Sequence, residues 1–108
     1  MVFISLEDFY KKADTCNILS RKEEILCAKK MLDGDKAARE KLIQSYIPTV
    51  KKHVECSKAH LKTLGLVLYM MAALEKSVDS FDFLQESETF THRLSWALRQ
   101  AKVNYIVK

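Results

Sequence analysis

The sequence predicts an all-α protein, a compact bundle of about five helices that forms a single domain over residues 1–108. Three observations support this class. The chain has only two Gly and one Pro, which leaves few turn-forming residues for a β-sheet protein. Hydrophobic residues make up 48% and charged residues 30%, as in globular domains, and the length suits one core. Apolar residues also recur at helical spacing along most of the chain.

Capping signals mark the first two helices. Ser5 begins a short helix in the N-terminal segment 1–18, which is expected to pack on the core. Ser20 and Glu23 have the spacing of a capping box, in which each side chain accepts a hydrogen bond from the other residue's backbone N–H. The second helix is therefore expected to begin after Ser20. Its predicted buried residues are Ile25, Ala28 and Leu32.

Gly34 and Asp35 predict a tight turn before the third helix. Glycine tolerates the left-handed conformation that ends a helix, and the Asp35 carboxylate can cap a helix that begins near Lys36. Pro48 lies inside this third helix, where its missing N–H and its ring predict a kink between residues 44 and 48. The apolar residues of the helix follow the period of a buried stripe: Ala38, Leu42, Ile43, Tyr46, Ile47, Val50 and Val54.

The fourth helix is apolar on every face. A short polar connection, residues 56–60, precedes it, and residues 63–74 contain no charge. Such a helix is expected to be buried, either in its own core or against a partner. Val78 and Phe81 then return to an amphipathic pattern, and the acidic segment 82–89 has no periodicity and predicts a loop.

The last helix is expected to begin with Thr89 or Thr91 as its cap. Its period directs one set of side chains toward the core: Leu94, Ala97, Leu98, Ala101 and Tyr105. The opposite face carries Trp96, Arg99, Gln100 and Val103. Aromatic and cationic side chains therefore share one exposed helix face.

The net charge of +4 is unevenly distributed along the chain. Five acids and one lysine lie between Glu75 and Glu88, whereas the segment from Thr89 onward has cations and no acid. These cations are Arg93, Arg99, Lys102 and Lys108. A second basic run contains four lysines, Lys51, Lys52, Lys58 and Lys62, and one acid, Glu55. The asymmetry favours a polyanionic partner, although cations at helix ends also complement the helix dipole.

Several classes of protein are not expected. The three cysteines are an odd number without a close pair, which is typical of free thiols in a reducing compartment. His53, Cys56 and His60 lack a fourth ligand at a recognisable spacing, so no metal and no cofactor are expected. The chain has no Gly-rich phosphate loop and no nucleophile paired with a base, so we do not expect an enzyme. Without a long apolar run or a signal peptide, a cytoplasmic protein without membrane contact is expected.

The string Phe81-Asp82-Phe83, then Phe90-Thr91, then Trp96 and Arg99-Gln100-Ala101 resembles region two of the bacterial RNA polymerase sigma factors. That region reads V-x-x-F-D-Y followed by F-S-T-Y-x-x-W-W-I-R-Q-A-I. In the first half of the chain, Tyr46, Pro48 and Val50 are similar to the family's Y-x-P-x-V. The resemblance extends from about Leu19 to Ile106 and implies a sigma region-two fold.

The resemblance also implies partners and sites. It implies binding to the clamp of the RNA polymerase core through the positions of Gly65, Leu68 and Tyr69, where the family has Asp, Gln and Glu. It further implies binding to the single strand of the promoter minus-ten element, through Phe83, Phe90, Arg93, Trp96, Arg99, Gln100 and Asn104. Phe83 and Phe90 would support or contact bases.

Three positions depart from the family pattern in the predicted DNA site. Arg93 replaces the tyrosine of F-S-T-Y, Ala97 replaces the second tryptophan, and Tyr46-Ile47-Pro48 replaces an Asn-x-Arg that lines the base pocket. A second hypothesis is therefore a sigma-like interaction module without promoter melting. It would bind a regulatory protein or another copy of itself through the apolar surface at Leu68 and Tyr69.

That apolar surface has another interpretation. The N-terminal helix with Phe3, Leu6 and Phe9 could fold over Leu68, Tyr69 and Met70, which would make them part of the core. Core packing is also the simplest alternative for Trp96 and the phenylalanines, since most aromatic residues of small helical domains are buried.

Overall fold

Short connections join the helices in the computed structural model, which describes residues 3–83 and 90–107. The helices are α1 (Leu6–Thr15), α2 (Arg21–Leu32), α3 (Lys36–Ser45), α4 (Ile47–Glu55), α5 (Leu64–Ser80) and α6 (Phe90–Ile106), with a 3-10 turn at Ala59–Leu61 before α5. The described part of the chain contains no strand, and its axes measure 40 × 27 × 21 Å. The predicted all-α bundle is confirmed.

Side chains cap the helices where the sequence predicts. The Asp8 N–H donates to Ser5 Oγ over 3.0 Å at the start of α1. In the capping box of α2, the Glu23 N–H donates to Ser20 Oγ over 3.3 Å and the Ser20 N–H donates to Glu23 Oε1 over 3.1 Å. Asp35 Oδ1 accepts hydrogen bonds from the N–H groups of Ala37 and Ala38. These local hydrogen bonds fix where α1, α2 and α3 begin.

Two backbone features divide the first half of the chain. Gly34 has a φ of +92°, which places it in the left-handed conformation predicted for the turn after α2. The predicted kink near Pro48 is a complete break: α3 ends at Ser45 and α4 begins at Ile47. Pro48 lies in the first turn of α4, where a missing N–H is tolerated. The predicted third helix is therefore two helices.

Helix α5 is the centre of the bundle. It packs most extensively on α6 and also contacts α1, α3 and α4, whereas α2 packs on α3. The buried side chains of α5 are Leu66, Val67, Met70, Met71, Leu74 and Val78. Each fully buried side chain of this size contributes about 1.5–3 kcal/mol of hydrophobic stabilisation. Burial of the apolar fourth helix is thus confirmed for most of its faces.

One predicted core residue lies on the surface. Leu32, at the end of α2, is 72% exposed, and Cys27 is buried beside Ala28 instead. Ile25 is half-buried. Helix α2 makes its main contacts with α3 alone, so only a narrow stripe of α2 is covered and its last residue extends beyond it.

Two ion pairs connect helices that are distant in sequence. Arg39 of α3 donates to both carboxylate oxygens of Asp79 on α5, from Nε over 2.7 Å and from Nη2 over 2.9 Å. Lys51 of α4 donates to Asp14 of α1 over 2.5 Å. The predicted loop at 82–89 and the predicted cap Thr89 fall mostly outside the described residues, because only Asp82 and Phe83 of that segment are described.

Candidate nucleic-acid interface

Helix α6 has one buried face and one exposed ridge, as its period predicts. Leu94, Leu98 and Ala101 are buried. Trp96 is 67% exposed, and Gln100 lies on the same exposed side. Trp96 is two positions from both Leu94 and Leu98, and a helix of 3.6 residues per turn directs it away from their buried face. The chain therefore presents its single tryptophan to solvent.

A groove runs between α5 and α6 and has a volume of about 430 Å³. We call it the α5–α6 groove. From α6 it is lined by four of the residues predicted to bind DNA: Arg93, Trp96, Gln100 and Asn104. Tyr69 of α5, which is predicted to bind a partner, lies in the same groove. Residues from two separate predictions therefore meet on one surface.

Small residues keep this groove open. Ala72 and Ala73 of α5 and Ala97 of α6 line it. Ala97 stands where the resemblance would place a second tryptophan, and its methyl group leaves the space beside Trp96 unfilled. Gln100 Nε2 lies 3.4 Å from Asn104 Oδ1, so the two amides form a polar rim along α6. The groove thus combines an apolar floor with amide donors and acceptors.

Phe83 and Phe90 lie in the core and not on the interface. Each is 2% exposed, and their ring centroids are 4.9 Å apart. Phe81 makes edge-to-face contacts with both, at centroid distances of 5.0 and 5.2 Å, and the Tyr46 ring centroid lies 4.6 Å from that of Phe90. Direct contact between these phenylalanines and a base is therefore not available in this arrangement. Core packing, the alternative considered for these phenylalanines, agrees with their burial.

This aromatic cluster contacts Arg93, one of the residues predicted to bind DNA. The guanidinium of Arg93 lies 5.9 Å from the centroid of the Phe81 ring, within the range of a cation–π interaction. A second arginine also contacts the cluster: Arg21 of α2 donates a hydrogen bond from Nη2 to the Phe83 carbonyl over 3.3 Å. Burial is the main cause that raises the pKa of Tyr46, followed by hydrogen bonding to Glu24. The phenol therefore stays neutral and fills the space against Phe90.

The three predicted partner-binding residues do not form one surface. A Cβ on Gly65 would lie 2.9 Å from Cε1 of Tyr105, so the Tyr105 ring covers Gly65. Tyr69 packs against the same ring, with centroids 5.3 Å apart. Leu68 is 52% exposed and remains on the surface. The alternative that the N-terminal helix covers this surface is therefore wrong for Leu68, whereas Met70 is buried and α1 does pack on α5.

Arg99 lines a second concavity on the other flank of α6, which we call the α4–α6 cleft. Its volume is about 340 Å³, and it is also lined by Lys52 and His53 of α4, by Cys56 at the C-cap of α4 and by Lys102 of α6. Burial first, and then the charges of Arg99 and Lys102, lower the pKa of His53. The two basic runs of the sequence supply the cations of this cleft. Their spacing along the chain does not predict that they meet.

Comparison with known protein families, curated proteins and solved structures finds no match for this chain. The α5–α6 groove and the α4–α6 cleft are therefore the basis on which a function can be proposed. Within residues 3–83 and 90–107, no three His, Cys, Asp or Glu side chains come together to hold a metal ion. In the same ranges, no helix has both the length and the hydropathy needed to span a membrane.

Proposed function

We propose that this domain binds single-stranded nucleic acid across α6, and that it acts in transcription initiation as a sigma region-two-like domain. The observation that carries the proposal is the exposed Trp96 beside Gln100 and Asn104 in the α5–α6 groove. An aromatic face stacks on any unpaired base, and amides can hydrogen-bond to base edges. In a transcription factor of this type, the bound strand would be the promoter minus-ten strand.

The charge of α6 supports the same proposal. Between Phe90 and Ile106 the helix has three cations, Arg93, Arg99 and Lys102, and no acid. Phosphates attract such a helix, and release of their counterions contributes to affinity. A stacking platform with a cationic track is the usual composition of a single-strand binding surface.

Fluorescence anisotropy with a labelled single-stranded oligonucleotide tests this proposal. Trp96→Ala should weaken binding about 5- to 150-fold, the equivalent of about 1–3 kcal/mol for one stacked base. Leu32→Ala is the matched control, because it also truncates a large exposed apolar residue but lies far along the chain on α2. Equal binding by the wild type and Trp96→Ala would contradict the proposal.

Contact with the RNA polymerase core is the second part of the proposal. Leu68 supports a protein contact, since it is a large apolar side chain exposed on α5. Gly65 and Tyr69 face Tyr105, so the contact would be apolar and centred on Leu68, unlike the polar set of the sigma factors. Co-purification with core polymerase should therefore decrease in Leu68→Glu and persist in Leu32→Glu.

The exposed Leu68 also favours a second candidate function, an interaction module that binds a regulator or another copy of itself. Light scattering distinguishes self-association from the first proposal. A dimer that dissociates in Leu68→Glu, with no binding to oligonucleotide or core polymerase, would favour the interaction module. A monomer that binds oligonucleotide would favour the transcription factor.

A further inference from the structure

The α4–α6 cleft is a concave cationic surface. Lys52 and His53 enter it from α4, and Arg99 and Lys102 enter it from α6. Met70 of α5 and Leu98 of α6 also line it, and both are buried. Three cations and one histidine from two helices therefore surround an apolar floor.

These charges lack opposing carboxylates. In the part of the chain that the structure describes, no ion pair involves Lys52, Arg99 or Lys102. The one acid of α4, Glu55, interacts with Tyr10 and Lys51 toward α1 instead. Like charges held close together repel each other, and an anion in the cleft would relieve this repulsion.

The cations are close to His53, which is half-buried among them. The effect of Arg99 and Lys102 on the His53 pKa has the sign expected for positive charges near an imidazole. His53 shares the cleft with Lys52 of α4, Cys56 just after α4, both cations of α6 and Met70 of α5. No carboxylate lines this cleft among the described residues, so an anionic ligand is the one that the surroundings favour.

We propose that the α4–α6 cleft binds a backbone phosphate of the strand whose base stacks on Trp96. This inference rests on the proposed function. Trp96 and Arg99 are three residues apart on α6, so their side chains are neighbours on the helix surface. Arginine binds phosphate oxygens through two parallel N–H groups, and lysine adds a point charge. A strand that crosses the ridge of α6 would have a base on the groove side and a phosphate on the cleft side.

The salt dependence of oligonucleotide binding tests this inference. The cleft variant carries Lys52→Gln, Arg99→Gln and Lys102→Gln. The control variant carries Lys22→Gln, Lys29→Gln and Lys36→Gln, three exposed lysines on α2 and at the start of α3. Both variants lose three positive charges. The plot of log K against log salt should become shallower by about 0.7 for each lost phosphate contact in the cleft variant, and the control should keep the wild-type slope.

The outcomes separate this inference from the proposed function. Binding that depends on Trp96, with equal slopes in the two triple variants, would overturn the cleft as a phosphate site and leave the proposed function intact. Absence of oligonucleotide binding by the wild type would overturn both. Circular dichroism checks that each variant folds.

A second measurement is made on the wild-type chain, and a variant serves only to assign one signal. NMR titration should show that a bound dT oligonucleotide raises the pKa of His53, because phosphate offsets the charges of Arg99 and Lys102. The His53→Gln spectrum assigns the signal. An unchanged pKa in the saturated complex, or an equal rise with inorganic phosphate at the same phosphate concentration, would contradict a strand phosphate in the cleft.

Discussion

The Tyr105 hydroxyl lies 2.7 Å from Oγ1 of Thr63, and this hydrogen bond connects the end of α6 to the start of α5. Thr63 is also the N-cap of α5, since its Oγ1 accepts the Leu66 N–H over 3.3 Å. The Tyr105 ring is held further by its edge-to-face contact with Tyr69. Because the ring is held at both its hydroxyl and its face, moving it away from Gly65 would break the Thr63 hydrogen bond or the Tyr69 contact.

Gly65→Ala should therefore destabilise the protein. The new Cβ would lie 2.9 Å from Cε1 and 3.0 Å from the hydroxyl oxygen of Tyr105, closer than van der Waals contact. Overpacking of this kind costs about 1–3 kcal/mol, whereas helix propensity alone favours Ala over Gly by about 1 kcal/mol. Urea unfolding decides between the two effects: a lower free energy of unfolding in Gly65→Ala shows that overpacking dominates, and a higher one shows that helix propensity dominates.

A double-mutant cycle provides the control for this prediction. In a Tyr105→Leu background, the cost of Gly65→Ala should disappear or reverse, because no ring remains over the new methyl group. Additive effects of the two substitutions would show that the Tyr105 ring is not the cause.

The bidentate pair between Arg39 and Asp79 predicts a modest loss of stability in Asp79→Asn. Both side chains are partly exposed, so solvent screening limits the expected loss to about 0.5–1 kcal/mol at pH 7. Hydrogen bonding to Arg39 is the main cause that lowers the pKa of Asp79. The contribution is therefore complete above the pKa that Asp79 has in the unfolded chain, and it is lost as the pH falls through the lower, folded value.

Urea unfolding at pH 7 and near pH 2 measures this contribution. The difference between wild type and Asp79→Asn should be present at pH 7 and decrease at the lower pH. Asp33→Asn is the control, because the described residues include no ion pair to Asp33. A difference of the same size at both pH values would count against an electrostatic origin.

The parts of the fold that the sequence predicts are those with local causes. Ser20, Asp35 and Gly34 act on backbone groups within a few residues, so their roles follow from spacing alone. Burial of a side chain depends on which other helices pack against it. Leu32 has the spacing of a core residue, yet none of the helices within residues 3–83 and 90–107 covers the end of α2. The effect of Pro48 on the backbone is also local, so the sequence predicts a kink near the place where the structure has a break at Tyr46.

The candidate site shows the same division. The period of α6 predicts that Trp96, Arg99 and Gln100 are exposed, which is correct. It does not predict that Arg99 and Gln100 line different concavities, because that depends on α4 and α5 flanking α6 on opposite sides. Nor does an aromatic residue in the sequence reveal whether it packs inward. Phe83 and Phe90 are therefore core residues although the resemblance implies a role near bases.

The depressed pKa of His53 predicts a pH dependence of folding. Burial is the main cause, and Arg99 and Lys102 add to it, so the folded protein binds a proton at His53 less readily than the unfolded chain does. The unfolded value is near 6.5. Stability from this residue is therefore complete above about pH 6.5 and is lost as the pH falls toward the folded value. The free energy of unfolding should decrease between about pH 7.5 and pH 5.5, above the range where most carboxylates titrate.

His53→Gln should make this decrease smaller, and Lys102→Gln should do so in part, because it removes one of the charges that oppose protonation. His60→Gln is the matched control: it replaces an exposed histidine in the turn before α5 and should leave the decrease unchanged. Urea unfolding at closely spaced pH values measures all four proteins. If His53→Gln keeps the wild-type pH profile, the imidazole is not held among these cations and the geometry of the α4–α6 cleft differs from the one described.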